Sequence, residues 1–470
     1  MRVTPLSEIQ STKRQFLLIV TGEYLITGYF WVFSTLGSLL LEGKAEQTFF
    51  FTMFVFMLSN GVWEILTGWY ADKFRRQLSM SAGFLACCVG FCFMGAAALV
   101  PKGPYLNLNF TLLVWYAGVT IWALGPALLS GAEEAWLVDR CNFFSTDPPE
   151  DVDDVFKRTA AWGVFAKSMG TVVCFLVLSP SFPPDFLTQA PSPTSSGTGL
   201  NDNWPVFVTS AIIAVVVSAW LFSLSRHLQE EYWSHPKYQT NESLFSFLGK
   251  GLRDLWEKPL RWFALSYVGV MSLNYVFSST VWTYMTIKAS STHLFSIDKD
   301  KLLLGWAIAL IIAELIGSVL SRYLSKWIDL IRQRQLRIPI AALIYLVPIA
   351  FLLNSDSHFF LHILIIVAFS FRVVYASVFG SLNTIGQLAI KSDERRAVLV
   401  SIASTIGSFF MSLVFLGFYC LVRYKWNPLG STEVPVIAKP IENFWWVSLP
   451  CILMIALCGY LATRPRSEAR

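Results

Sequence analysis

Gly68-Trp69-Tyr70-Ala71-Asp72-Lys73-Phe74-Arg75-Arg76-Gln77 is the stretch on which the fold turns. It is a polar island between two apolar runs, 48–69 before it and 79–100 after it. A helix crosses a ~30 Å hydrocarbon core in about 20 residues, so each run is long enough to span a membrane. Reading outward, further apolar runs fall at 16–41, 109–139, 159–179 and 205–225. After a polar connection come 262–287, 302–326, 338–353, 358–388, 397–422 and 444–463. These runs do not alternate as barrel strands would. The pattern predicts an all-α polytopic membrane protein with twelve transmembrane helices in two six-helix bundles.

Composition agrees with that reading. Of 470 residues, 54% are hydrophobic and 14% charged, and mean hydropathy is +0.53. A soluble domain carries roughly 25% charged residues, so this chain lacks the charge to coat a water-facing surface. A soluble enzyme is excluded. The net charge of +5 is not gathered into a dense basic run, so no nucleic-acid partner is expected. The eight cysteines form no C-x-x-C pair and no Cys/His cluster, so they read as thiols in apolar surroundings, with no cofactor or metal.

The polar connections set direction. With the N-terminus in the cytoplasm, 26 of the 36 Lys and Arg residues fall on the inner side and 8 on the outer. That excess places both termini in the cytoplasm of a plasma (inner) membrane. The domains expected are 1–225 as the N-terminal bundle, 226–260 as a cytoplasmic linker, and 261–470 as the C-terminal bundle. Within the linker, Leu244, Leu248, Leu252 and Leu255 recur at helical spacing beside Lys250 and Arg253, predicting an amphipathic helix on the inner leaflet. The outer connection 180–204 is rich in Pro, Ser and Gly, and Asn109-Phe110-Thr111 matches a glycosylation sequon.

The opening stretch resembles the loop signature of the major facilitator superfamily, G-x-x-x-D-[RK]-x-G-R-[RK]. Gly68, Asp72, Lys73 and Arg76 match it, while Arg75 and Gln77 depart from it. Ser130-Gly131-Ala132-Glu133-Glu134-Ala135-Trp136-Leu137-Val138-Asp139, and Asn383 with Arg396-Ala397-Val398-Leu399-Val400-Ser401, are similar to stretches of the bacterial drug-exporter-like branch. Two features common in its proton antiporters are absent: Leu124-Gly125-Pro126-Ala127 holds no Arg, and Trp162–Phe175 holds no Pro. The resemblance implies two pseudo-symmetric bundles rocking about a central site, with Gly68, Asp72, Lys73, Arg75 and Arg76 as a gating loop. Physics supplies a partner for Asp72 independently. An anion just past a helix C-terminus is unfavourable alone, and the N-terminus of the run at 397–422 begins on the same side.

Charges inside the membrane mark the site. Each costs at least ~2.5 kcal/mol near the bilayer centre and needs a reason. They are Glu23, Glu133, Glu134, Lys167, Glu314 and Arg372, with Glu64 read as nearer a helix end. The third, sixth, ninth and twelfth runs hold none, which the resemblance explains because those helices face lipid. Depth along the helices pairs Glu134 with Lys167, and Glu314 with Arg372. Glu133 is rotated about 100° from Glu134, so the two are expected to face different neighbours. Glu23, with no cation in evident reach, is the candidate proton carrier. Asn60 and Asn274 are further cavity candidates, together with Tyr24, Trp122, Tyr275, Trp282, Tyr375 and Asn383, a set suited to a semi-apolar organic solute.

The function expected is secondary active transport by alternating access: proton-coupled export of a small organic solute or drug-like metabolite. No P-loop is present to use a nucleotide. The alternatives are an uptake symporter or facilitator for a nutrient or inorganic anion, which Arg372 would suit, and a transporter-fold receptor. A membrane enzyme is disfavoured for want of a catalytic cluster. The expected partners are a small-molecule substrate, protons and the lipid bilayer, and the chain is expected to be a monomer.

Overall fold

The computed structural model describes residues 5–41, 45–73, 76–99, 108–144, 148–178, 200–226, 243–256, 260–291, 334–344, 396–426 and 444–463, with single positions between 312 and 390. The described residues are helical almost throughout, as a chain in lipid must be when every backbone group has to find its partner within the segment. The first half holds α1 (Pro5–Leu41), α2 (Ala45–Lys73), α3 (Arg76–Leu99), α4 (Leu108–Leu129), α5 (Ala132–Phe144), α6 (Pro148–Leu178) and α7 (Leu200–Arg226). After α8 (Leu244–Leu255) come α9 (Leu260–Ser291), α10 (Arg334–Ile344), α11 (Arg396–Trp426) and α12 (Phe444–Thr463). Six segments among the described residues are long and apolar enough to cross a membrane: Ile9–Ser34, Thr48–Lys73, Arg76–Ala97, Phe110–Asn142, Val208–Arg226 and Ala397–Cys420. The chain is a multi-pass membrane protein.

Lipid gives little hydrophobic drive between helices, so close backbone approach at small residues takes its place. Gly83 and Gly90 on α3 face Gly125 and Trp122 on α4. A Cβ on Gly90 would lie 2.6 to 2.8 Å from Trp122 Cβ, Cα and N. Gly28 on α1 and Gly170 on α6 do the same for that pair, each meeting the other helix's carbonyls. Aromatic rings fill the remaining space: Phe30 stacks on Trp122 at 3.6 Å, and Phe33 and Phe91 pack beside it. Outward, α3 shows Leu85, Val89 and Phe93, α7 shows Ile212, Val216 and Trp220, and α12 shows Leu449, Leu453 and Leu457. These exposed stripes at helical spacing lie on the third, sixth and twelfth runs, which carry no internal charge.

One difference from the sequence reading bears on the site. The run at 109–139 is not one helix. It breaks at Ser130-Gly131, where Gly131 takes φ +69°, and restarts as α5. That left-handed φ suits glycine, which has no Cβ to clash there. The linker helix is present as α8, capped by Ser243, whose side chain accepts from Ser246 N. Leu255 and Gly251 turn inward, and a Cβ on Gly251 would stand 3.1 Å from Ile402 Cδ1 of α11. The runs at 302–326 and 358–388 lie largely outside the described residues.

Candidate functional site

The two halves meet along α2 and α11, which run antiparallel and exchange contacts at nearly every turn. Phe50 packs against Phe418 at one end. Asn60 Nδ2 donates to Ser408 Oγ at 3.0 Å. One turn on, Glu64 accepts from Ser404 Oγ at 2.9 Å and from Ser130 Oγ at 2.8 Å. At Gly68 the helices approach closely: a Cβ there would lie 2.7 Å from Ser401 Cβ and 3.0 Å from Val398 Cα. The ladder ends on Asp72, whose carboxylate accepts from the backbone N–H of Ala397 at 3.2 Å and Val398 at 2.9 Å. These are the first free N–H groups of α11, where a negative charge is most favourable.

Asp72 is part of a buried charge network. Arg76 bonds both Asp72, at 3.3 Å, and Asp139 midway along α5. Arg140, beside it, donates to Thr12 Oγ1 at 3.0 Å and lies over the Trp136 ring. Gln77 donates to the last carbonyls of α7, Ser225 and Arg226, both at 3.1 Å. One end of the molecule is thus tied together by charge and helix-terminus contacts, while Lys73 rests over the Trp69 ring. Arg75 lies outside the described residues.

Behind this closed end lies a cavity of about 120 Å³ between the halves. Glu23, Asn60, Glu133, Glu134, Lys167 and Asn274 all line it, as do Tyr24, Trp122, Tyr275 and Tyr375. Residues far apart in the chain therefore converge on one space. Glu314, Arg372 and Asn383, and the side chain of Trp282, lie outside the described residues, so the second candidate ion pair does too. Lys167 sits 5.5 Å over the Trp31 ring and shares the cavity with Glu134.

The geometry corrects three readings. Glu133 and Glu134 both face the cavity, although a helix rotates them 100° apart. They occupy the first turn of α5, at the break, where the end of the helix opens onto the cavity and neighbouring positions look into it together. Their place at a helix N-terminus also compensates part of their charge. Glu23 is not isolated: Glu133, Glu134 and Lys167 line the same cavity. Glu64 belongs to the cavity and to the seam, and not merely to a helix end. It was detectable from its register, four residues after Asn60 and four before Gly68 on one face of α2.

Solved structures share this fold. A bacterial homologue of the iron transporter ferroportin, solved outward-facing with soaked iron, has 14% identity and a TM-score of 0.61, covering 95% of this chain and 98% of its own. The proton:xylose symporter bound to 6-bromo-6-deoxy-D-glucose has 14% identity and a TM-score of 0.61, covering 96% of both chains. The fold is that of the major facilitator transporters. The E. coli fucose:proton symporter, at 15% identity and a TM-score of 0.56, covers 96% of this chain and 98% of its own. No protein-family model matches the chain, and no curated protein does. In the major facilitator fold seen here, the cavity stands where the two bundles face one another.

Proposed function

We propose that the chain is a secondary active transporter working by alternating access. It carries a small organic solute through the cavity in exchange for protons, in the outward direction. The supporting observation is one cavity lined by both halves, shut at one end by a breakable contact between Asp72 and the α11 N-terminus. Rocking the halves apart would part Asp72 from α11 and open that end. Glu23, in the same cavity as Glu133 and Glu134, is the group assigned to carry the proton. Like the drug-exporter branch it resembles, the protein sits in the plasma membrane as a monomer, with the Asp72 end and both termini cytoplasmic. The reading is of a transporter, not an enzyme.

An uptake symporter is the second reading, favoured by the fucose and xylose proton symporters among the structural neighbours. Inorganic anions fit poorly beside four lining carboxyls. The test is flux into proteoliposomes, with and without a pH gradient, of solutes first found to raise the melting temperature of the purified protein. Gradient-driven flux that Glu23→Gln abolishes, with folding intact, supports proton coupling. Flux unchanged in that variant overturns the proton role, and no protein-dependent flux of any stabilising solute overturns transport. The sign of the pH gradient that drives accumulation separates export from uptake.

A further inference from the structure

The charge balance of the cavity wall is one-sided. Among the described residues lining it are four carboxyls, Glu23, Glu64, Glu133 and Glu134, and one ammonium, Lys167. Glu64 is already engaged with Ser130 and Ser404. Glu133 is not: its Oε2 is buried without a hydrogen-bond partner, and the residue is 6% exposed. Asn60 shows the same pattern at 7% exposure. Its amide nitrogen donates to Ser408, and its Oδ1 accepts nothing. Unpaired buried acceptors are rare because they are costly, and both of these belong to the wall of the cavity. Against one unpaired donor, Trp122 Nε1, the wall sets two unpaired acceptors and excess negative charge, which favour a positively charged donor in the cavity.

The rest of the wall decides what kind. No group of His, Cys, Asp and Glu among the described residues has the arrangement of a metal site. The phenol rings of Tyr24, Tyr267 and Tyr275 line the cavity, and aromatic faces attract an organic cation as well as its apolar body. Building on the transport reading, we propose that the cavity selects a small organic ammonium ion. Glu133 is its counter-ion, Asn60 Oδ1 a second acceptor, and the tyrosine rings hold its hydrocarbon part. An anion of equal size would meet carboxyls at every turn. A neutral isostere would leave the Glu133 charge unanswered.

The test uses three probes of one skeleton: phenethylammonium, 2-phenylethanol and phenylacetate. Binding to the full-length protein in nanodiscs is measured by calorimetry. The ammonium is expected to bind at least about tenfold more tightly than the alcohol, and phenylacetate not to bind. Glu133→Gln, nearly isosteric, is expected to weaken the ammonium by about tenfold or more. Asn60→Asp, which can still accept from Ser408, is expected to tighten it, so the proposal remains testable if the first variant does not fold. Equal binding of the alcohol or the acid overturns the proposal. So does no binding of the ammonium, or binding that neither variant moves. Ammonium binding without gradient-driven flux leaves this site standing and overturns the transport reading. Flux of neutral or acidic solutes with no ammonium binding does the reverse.

Discussion

Replacing Asp72 by Asn tests the contact that closes one end of the molecule. In the structure its carboxylate holds Ala397 N at 3.2 Å, Val398 N at 2.9 Å and Arg76 at 3.3 Å. The Arg76 contact lies within one half and survives when the halves part, so only the two bonds to α11 bias the open–closed equilibrium. Each charged hydrogen bond contributes a net ~1.5–3 kcal/mol, and the helix terminus up to ~2 kcal/mol to a buried anion. Asn keeps one acceptor oxygen and turns a donor toward the other N–H. The closed state should lose about 3 kcal/mol, a roughly hundredfold larger open fraction. The reporter is Val398→Cys, a fully buried seam position, in a background with the partly exposed Cys88, Cys92 and Cys420 replaced by Ser. When opening is fast relative to labelling, the rate of reaction with a thiol reagent follows the open fraction. Asp72→Asn should raise it roughly hundredfold. A rise below about threefold, under ~0.7 kcal/mol, would refute the latch.

Further expectations rest on single contacts. Glu64→Ala strips Ser130 and Ser404 of their shared acceptor, and should raise the same labelling rate by about tenfold, at ~1.4 kcal/mol. Gly68→Ala puts a Cβ 2.7 Å from Ser401 and 3.0 Å from the Val398 backbone. At ~1–3 kcal/mol of overpacking it too should favour the open seam, and an unchanged rate would argue against close approach there. Gly131→Ala forces a Cβ onto a left-handed backbone and within 3.0 Å of Ala397 O. It should cost ~1–2 kcal/mol, read as a lower melting temperature in detergent. Gly90→Ala presses on the Trp122 backbone, which cannot rotate away, so the yield of monodisperse protein should fall.

What was legible in the sequence, and what was not, divides by physics. Among the described residues, helix placement follows from the cost of bare backbone in lipid, which apolar run length reports for most of the helices. The convergence of Glu23, Glu133, Glu134 and Lys167 was likewise readable, because a membrane charge without a cavity is too costly to keep. Asp72 announced its partner by an anion at the wrong end of its own helix. The ladder from Asn60 to Asp72 was harder to see, since its other rail lies more than 300 residues away and small serines carry no charge signal. The register of α2 against α11 sets it, and no local pattern encodes that register. The break at Gly131 did leave a trace: the run at 109–139 exceeds the ~20 residues a bilayer needs. Gly131 is followed, after Ala132, by two carboxylates suited to a new helix N-terminus.

Alternating access itself can be tested without knowing the substrate. Thr27 lines the cavity, and Thr27→Cys in the same cysteine-depleted background reports which side the cavity opens to. In proteoliposomes of one orientation, a membrane-impermeant thiol reagent is applied from each face in turn. The account predicts reaction from both faces, with Asp72→Asn raising the rate from the Asp72 face and lowering it from the other. Reaction from one face only, or rates that rise together from both, would contradict it.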